Sequence, residues 1–262
     1  MHWSDFERAL KDIKPAFAVN ETEIISYIRN GIIYYGPTFE SIISEANLFI
    51  DQVKTSDVTP LVTVLLHGHS GAGKTAVAAT LAKESGFPFV KVLSPDSLVG
   101  LGEANKCAVI YKMFTDAYKS PLSCIVVDDL ERLLEYAPIG PRYSNAVLQT
   151  LLVFLKRSPP VGSKLIVFGT TSNVQILEDL QLTDVFDNQL NIPSLTSVKD
   201  IKKVLVNQRV FEEKELELTL PMFEGKTVPI RKLLMIGENV KRADTVDARM
   251  KRLAHLLSQL KQ

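Results

Sequence analysis

The sequence predicts an α/β fold, a five-stranded parallel sheet between helices with a small helical lid at the C-terminal end. Three observations carry that prediction. Short apolar runs rich in β-branched residues recur at 61–66, 88–93, 123–127, 164–168 and 188–192. Stretches with helical spacing separate them, at about 74–84, 102–119, 143–157 and 173–182. Near-continuous apolar strands alternating with helices belong to a parallel sheet covered on both faces. Beyond Ile192-Pro193 the strand signals stop, and 197–262 reads as mostly helical.

The elements follow in chain order. Helical spacing occurs twice in the first 30 residues, at Phe6/Leu10/Ile13 and Ile24/Ile25/Ile28, with a break at Lys14-Pro15. Asn30-Gly31 stops the second helix, and Ile32-Ile33-Tyr34-Tyr35-Gly36-Pro37 reads as a tight apolar loop before an amphipathic helix over 38–54. The strands and helices above then alternate up to residue 193. In the last segment a Pro- and Gly-marked turn falls near 221–229, and a final helix begins at about Thr245. The expected division is a nucleotide-binding core at 1–193, including a helical segment at 1–30, and a lid at 194–262.

Composition removes several function classes. Lys plus Arg and Asp plus Glu each total 30, so the net charge is zero. Nothing in that balance favours nucleic acid or an anionic membrane as partner. Basic residues in the last helix (Arg249, Lys251, Arg252) alternate with Asp244 and Asp247, the pattern of a solvated face. No apolar stretch reaches the roughly 18 residues that span a bilayer, and the start lacks the apolar core of a signal peptide. Cys124 sits in an apolar run, as a buried core residue does, and fits a reducing compartment. A cytoplasmic protein is expected. His67, His69 and His255 stand at no metal-ligand spacing.

The motif that carries chemistry is Gly68-His69-Ser70-Gly71-Ala72-Gly73-Lys74-Thr75, a complete G-x-x-x-x-G-K-[ST] between a predicted strand and a predicted helix. Glycines let backbone N–H groups turn toward a β-phosphate, and the following helix (Ala76, Val77 onward) adds its positive end. Lys74 offers a point charge to the β- and γ-phosphates, and the Thr75 hydroxyl is a magnesium ligand. ATP and Mg2+ are the expected ligands. The strand Cys124-Ile125-Val126-Val127 ends in Asp128-Asp129. Asp128 is placed to reach the metal. Asp129 stands where hydrolytic relatives of this loop commonly carry glutamate. Its side chain is one methylene shorter, and a shift of about 1 Å can cost on the order of 100-fold in rate. Asp129 could also cap the helix that follows.

Together, the phosphate loop, Asp128-Asp129 and a third strand running into Gly169-Thr170-Thr171-Ser172 resemble the AAA ATPases. Asn30-Gly31-Ile32-Ile33-Tyr34-Tyr35-Gly36, the stretch 123–134 and Pro138-Ile139-Gly140-Pro141-Arg142-Tyr143-Ser144-Asn145 narrow the resemblance. They look like the second, C-terminal ATPase domain of the N-ethylmaleimide-sensitive factor family, the ATPases that disassemble SNARE complexes. The resemblance implies a carboxy-terminal third of a longer protein, a hexameric ring, and SNAP adaptors and SNARE complexes as partners of the whole. It also implies a cytoplasmic location, peripheral to vesicle and organelle membranes. At matching positions it implies an adenine pocket from Asn30, Gly31, Ile32, Ile33, Tyr34 and Tyr35, with phosphate contacts from Ser70, Gly71, Ala72, Gly73, Lys74, Thr75, Ala76 and Val77. Ser172 falls at the sensor position that helps place the lytic water. Arg231 or Lys232, with Lys232 favoured, would approach the γ-phosphate from the lid, and Lys156 would reach a neighbour's nucleotide.

Two absences shape the expected activity. No arginine occurs between Arg157 and Arg209, where working rings place a finger arginine. No aromatic residue occurs from Val90 to Ile110, where threading rings grip their substrate. Tight ATP binding, slow hydrolysis and nucleotide-dependent assembly are expected. The alternatives are a self-sufficient motor that threads protein, and a P-loop kinase or nucleic-acid-linked ATPase.

Overall fold

The computed structural model describes residues 21–28, 31–138, 142–243 and 245–259. The helix expected around Phe6, the pocket residue Asn30, and Ile139, Gly140 and Pro141 lie outside the described residues.

All five strands pair in parallel. They are β1 (Leu61–His67), β2 (Phe89–Leu93), β3 (Leu122–Val127), β4 (Lys164–Thr171) and β5 (Asn188–Asn191), in the order β2-β3-β4-β1-β5. Alternating side chains serve two separate cores, because successive strand residues face opposite sides of a sheet. Val62, Val64 and Leu66 of β1, with Ile166 and Phe168 of β4, share a buried cluster with α1 (Glu21–Tyr27), α2 (Pro37–Thr55) and α3 (Lys74–Glu84). Leu65 of β1, with Leu165 and Val167 of β4, joins the opposite core under α4 (Glu103–Ala117) and α6 (Asn145–Lys156). The one-turn helix α5 (Leu130–Leu133) follows β3 on that second side.

Tertiary pairing lengthens one strand beyond its sequence signal. The apolar run ends at Phe168, yet β4 continues through Gly169, Thr170 and Thr171, which pair with Leu65, Leu66 and His67 of β1. Space is tight there: a Cβ on Gly169 would lie 2.6 Å from Phe186 Cζ, so that ring would have to shift. The helix expected over 173–182 is only Val174–Asp179, and Gln181 just beyond it is left-handed at φ 54.

After Pro193 come helices Val198–Asn207, Glu213–Thr219, Ile230–Lys241 and Val246–Ser258. Thr245 caps the last of these by accepting from the Ala248 N–H. Leu195, Ile201, Phe223, Leu233 and Leu257 share one buried cluster with the α2–α3 face. The helical segment is therefore continuous in packing with the core on that side. Chain order jumps from β1 past two strands to β2, so a crevice opens at the C-terminal ends of β1 and β4. Open α/β sheets bind ligands at such a switch point.

Candidate nucleotide site

The loop after β1 is held in shape by its glycines and its neighbours. Gly68 has φ 147, and a Cβ there would sit 2.3 Å from the Ile192 carbonyl. Gly73, left-handed at φ 97, is the N-cap of α3, with no side chain capping the first turn. The free N–H groups of that first turn are anion donors. Ser70 is exposed, Ala72 and Val77 are buried and Ala76 is half-buried, so Val77 contributes to this loop through its backbone while its side chain fills the core.

Lys74 is buried, and its Nζ donates to the carbonyls of Gly68 (2.8 Å) and His69 (2.9 Å). Burial lowers the Lys74 pKa, opposed by the negative charges of Glu131, Asp129 and Asp128. Beside it, Thr75 Oγ1 donates to Asp128 Oδ1 at 2.7 Å. With its proton committed to Asp128, the Thr75 hydroxyl has lone pairs left for a metal. One hydroxyl and one carboxylate, completed by phosphate oxygens and waters, suit magnesium, which keeps several waters and binds few protein oxygens. Among the described residues there is no cluster of three or more His, Cys, Asp or Glu that would suit another kind of centre.

Sequence reasoning passed over two residues here. Thr170 Oγ1 donates to the same Asp128 Oδ1 at 2.7 Å and accepts from the Asp129 N–H at 2.9 Å. Glu131 accepts from Thr171 Oγ1 and from the Ser172 N–H, both at 2.8 Å. The signal for Thr170 was parallel register: Val127 lies level with Gly169, which brings the next residues of both strands together. Ser172 is exposed and is tied to Glu131 through its backbone. Beside it opens a cleft of about 590 Å³ reached by His67, His69, Asn191, Pro193 and Thr227. Burial first and the Lys74 charge second lower the His67 pKa, opposed by Glu178.

Asp129 makes no side-chain cap to the helix it begins. Its backbone is left-handed at φ 53, and its carboxylate meets Arg132 Nε at 3.0 Å. Burial, then the charge and hydrogen bond of Glu131, push the Asp129 carboxyl up to about 6. The native state therefore binds this proton more tightly than the unfolded chain, so its stabilising contribution is present at low pH. That contribution is lost as pH rises through about 6. Asp129→Asn is accordingly expected to raise the melting temperature at pH 7.5 in metal-free, nucleotide-free buffer, with the gain shrinking toward zero by pH 4. A pH series of thermal melts checks it; a gain that grows on acidification would contradict the assignment.

The remaining expected residues divide into those at the crevice and those away from it. Ile32 and Ile33 are half-buried against the core, and Tyr34 is about half exposed. Tyr35 is buried. It stacks on Phe39 at 4.5 Å between centroids, and its hydroxyl donates to the Pro193 carbonyl at 3.4 Å. Burial, with Asp200 nearby, raises the Tyr35 pKa to about 12. From the far side, the helix Ile230–Lys241 begins directly on the phosphate loop. The Arg231 N–H donates to the Gly71 carbonyl at 3.0 Å, and a Cβ on Gly73 would lie 3.3 Å from Ile230 Cγ2. The hydrogen bond to the loop is thus made by the Arg231 backbone, and both Arg231 and Lys232 are exposed. Lys156 is exposed at the end of α6, on the sheet face opposite α3.

Residues 64–194 match the family model "ATPase family associated with various cellular activities (AAA)". The chain is 45% identical over 240 residues to a vesicle-fusing ATPase of Dictyostelium discoideum, covering 92% of this chain and 32% of the relative. A vesicle-fusing ATPase of Arabidopsis thaliana is 44% identical over 250 residues, 93% of this chain and 33% of its own length. The vesicular-fusion protein SEC18 of Saccharomyces cerevisiae is 37% identical over 262 residues, 97% of this chain and 34% of its own. The chain spans about a third of the length of these relatives.

Proposed function

Because the chain belongs to the AAA family of ATPases, and runs with its vesicle-fusing members over nearly all of its length, we propose that it is an ATP-dependent assembly domain. Its ATP would act mainly as a joint that holds a ring together, with slow hydrolysis. The observation that carries this reading is the meeting of two segments on one loop. Lys74, Thr75 and Asp128 converge from the sheet side, while the helix beginning at Ile230 is hydrogen-bonded to Gly71 from the other.

ATP in that crevice would contact both segments at once and fix the angle between a core at 1–193 and a lid at 194–262. Each such wedge would then pack on the next subunit in a hexamer. A ligand bound only by the assembled form stabilises that form by mass action. Thr75 and Asp128 would hold magnesium, which when bound neutralises charge across the β- and γ-phosphates. Arg231 or Lys232, both exposed at the start of the helix that meets the loop, would supply the lid cation, and exposed Lys156 would meet a neighbour's nucleotide. Slow hydrolysis follows from the lack of any arginine between Arg157 and Arg209, since an in-trans finger contributes about 10³–10⁵ in rate.

Within a longer protein the ring would keep partner ATPase domains together on SNARE complexes bound through SNAP adaptors. Location would be cytoplasmic, peripheral to vesicle and organelle membranes. Among the described residues no helix is long and apolar enough to cross a membrane.

Light scattering on the size-separated chain, with and without Mg-ATP, tests the assembly reading alongside a phosphate-release assay. Expected are hexamers with ATP, smaller species without it, and slow turnover. A monomer in saturating Mg-ATP would end the proposal, and brisk turnover by a monomer would favour a self-sufficient motor.

A further inference from the structure

Gly36 is buried and extended, at φ −170 and ψ 166, a backbone conformation open to any residue. Space, and not backbone, is what keeps a side chain out of this position. A Cβ there would lie 2.5 Å from Asp200 Oδ1, 2.8 Å from Cγ and 3.0 Å from Oδ2, and nothing else comes nearer. The half-buried Asp200 carboxylate, from the first turn of the helix Val198–Asn207, therefore fills the place a Gly36 side chain would take. It does so where α2 begins: Gly36 is the N-cap of α2, and no side chain caps that end by a hydrogen bond. Negative charge beside the first turn of a helix is favourable.

The same helical segment meets the phosphate loop at a second point, the Arg231 N–H on the Gly71 carbonyl. The two points are joined by close packing. Gln208, just past the helix Val198–Asn207, donates from Nε2 to the Leu234 carbonyl at 3.1 Å. A Cβ on Gly237 would lie 2.1 Å from Gln208 Oε1 and 3.0 Å from Val210 Cγ2, which leaves no room beside the helix Ile230–Lys241. Ile201 and Leu205 share a buried cluster with Leu233 and Ile236. Interiors packed this densely pass on a displacement instead of absorbing it. A push at Asp200 therefore arrives at the helix that touches Gly71. We propose that Asp200 is a positioning residue: seated on Gly36, it fixes how closely the segment 194–262 approaches the phosphate loop, and so the width of the nucleotide crevice. Its effect on ATP rests on the reading of that crevice as a nucleotide site; its effect on the Arg231 contact rests on packing alone.

The test compares the intact wild-type chain with Gly36→Ala, Asp200→Ala and the double variant Gly36→Ala/Asp200→Ala. Hydrogen exchange at the Arg231 amide, without nucleotide, reads the contact with Gly71. Exchange in β4 reads the stability of the sheet, and titration with a fluorescent ATP analogue reads the crevice. In Gly36→Ala the new methyl meets the carboxylate, so Arg231 exchange is expected to quicken about tenfold, and by about fivefold more than exchange in β4. Affinity for the analogue is expected to fall about tenfold with it. Asp200→Ala takes a charge from a helix end and is expected to quicken Arg231 exchange about threefold. In the double variant all three colliding atoms are gone, so exchange and affinity are expected within about twofold of Asp200→Ala alone.

Arg231 exchange in Gly36→Ala within about threefold of wild type overturns the proposal. So does a Gly36→Ala effect that survives in the Asp200→Ala background, or equal acceleration at Arg231 and in β4, the mark of general destabilisation. Should Gly36→Ala fail to fold, a folded double variant supports the collision and an unfolded one overturns it. Faster Arg231 exchange with unchanged affinity overturns the role in the crevice. Wild type that binds no analogue is a different result: it removes the ATP-site reading, while exchange still decides whether Asp200 positions the helices.

Discussion

Lys74→Ala is expected to weaken ATP binding by between about 10² and 10⁴. The estimate comes from losing two charge-assisted hydrogen bonds to phosphate, each worth roughly 1.5–3 kcal/mol. The side chain is buried and already desolvated, tethered to the Gly68 and His69 carbonyls. Binding therefore exchanges those carbonyls for phosphate oxygens and does not strip a solvated ammonium of its water. Burial lowers the Lys74 pKa, and Glu131, Asp129 and Asp128 act against that lowering. Alanine removes the charge but leaves the glycine-shaped loop, so the fold is expected to survive while ATP-dependent assembly is lost with affinity. Titration with a fluorescent nucleotide and light scattering on the same sample measure both. An alanine variant that binds within tenfold of wild type and still assembles would remove Lys74 from the site.

Phe114→Ala is the largest stability change expected, a loss of about 3–5 kcal/mol for a fully buried phenylalanine. Phe114 is wholly buried between the sheet and the outer helices, and its ring stacks on Phe154 at 4.8 Å between centroids. Phe154 in turn takes the edge of Tyr111 at 5.8 Å. Truncation opens a cavity in the core that joins α4 to α6, the helix ending in Lys156. At roughly 2–4 °C per kcal/mol for a domain of this size, the melting temperature should fall by about 6–20 °C. Thermal unfolding followed by circular dichroism measures it. Nucleotide affinity of the still-folded variant should change little, because Lys74 and Thr75 stand on the helix of the opposite face. A fall of less than 3 °C would mean the ring is not packed as described.

Much of the fold was legible because its elements are set by local pattern. Apolar runs bounded by turn residues marked all five strands, and the helix after the phosphate loop falls at 74–84 in both readings. Boundaries slipped where pairing overrode pattern. The apolar run stops at Phe168, yet β4 includes Gly169, Thr170 and Thr171 because β1 offers a partner for each. At the site, the motif announced Lys74, Thr75 and Asp128, whose types and spacing are required by phosphate and metal. Tyr35 was less legible: an aromatic beside isoleucines suits an adenine wall and a core alike. Its contacts, the Phe39 ring and the Pro193 carbonyl, lie far apart from each other in sequence.

By itself the sequence determined that a parallel sheet would carry a phosphate loop with two acidic residues at the next strand's end. Those features depend on residue type and short-range order. Only the tertiary structure decided which carboxylate joins the tip of β4, which hydroxyl of the Thr170-Thr171-Ser172 run joins Asp128, and which lid backbone touches Gly71. Each of these depends on the register between strands, on one left-handed backbone turn at Asp129, and on where a helix more than 150 residues downstream of the loop comes to rest. Such long-range geometry is fixed by packing of the whole chain, and no local pattern of residues encodes it.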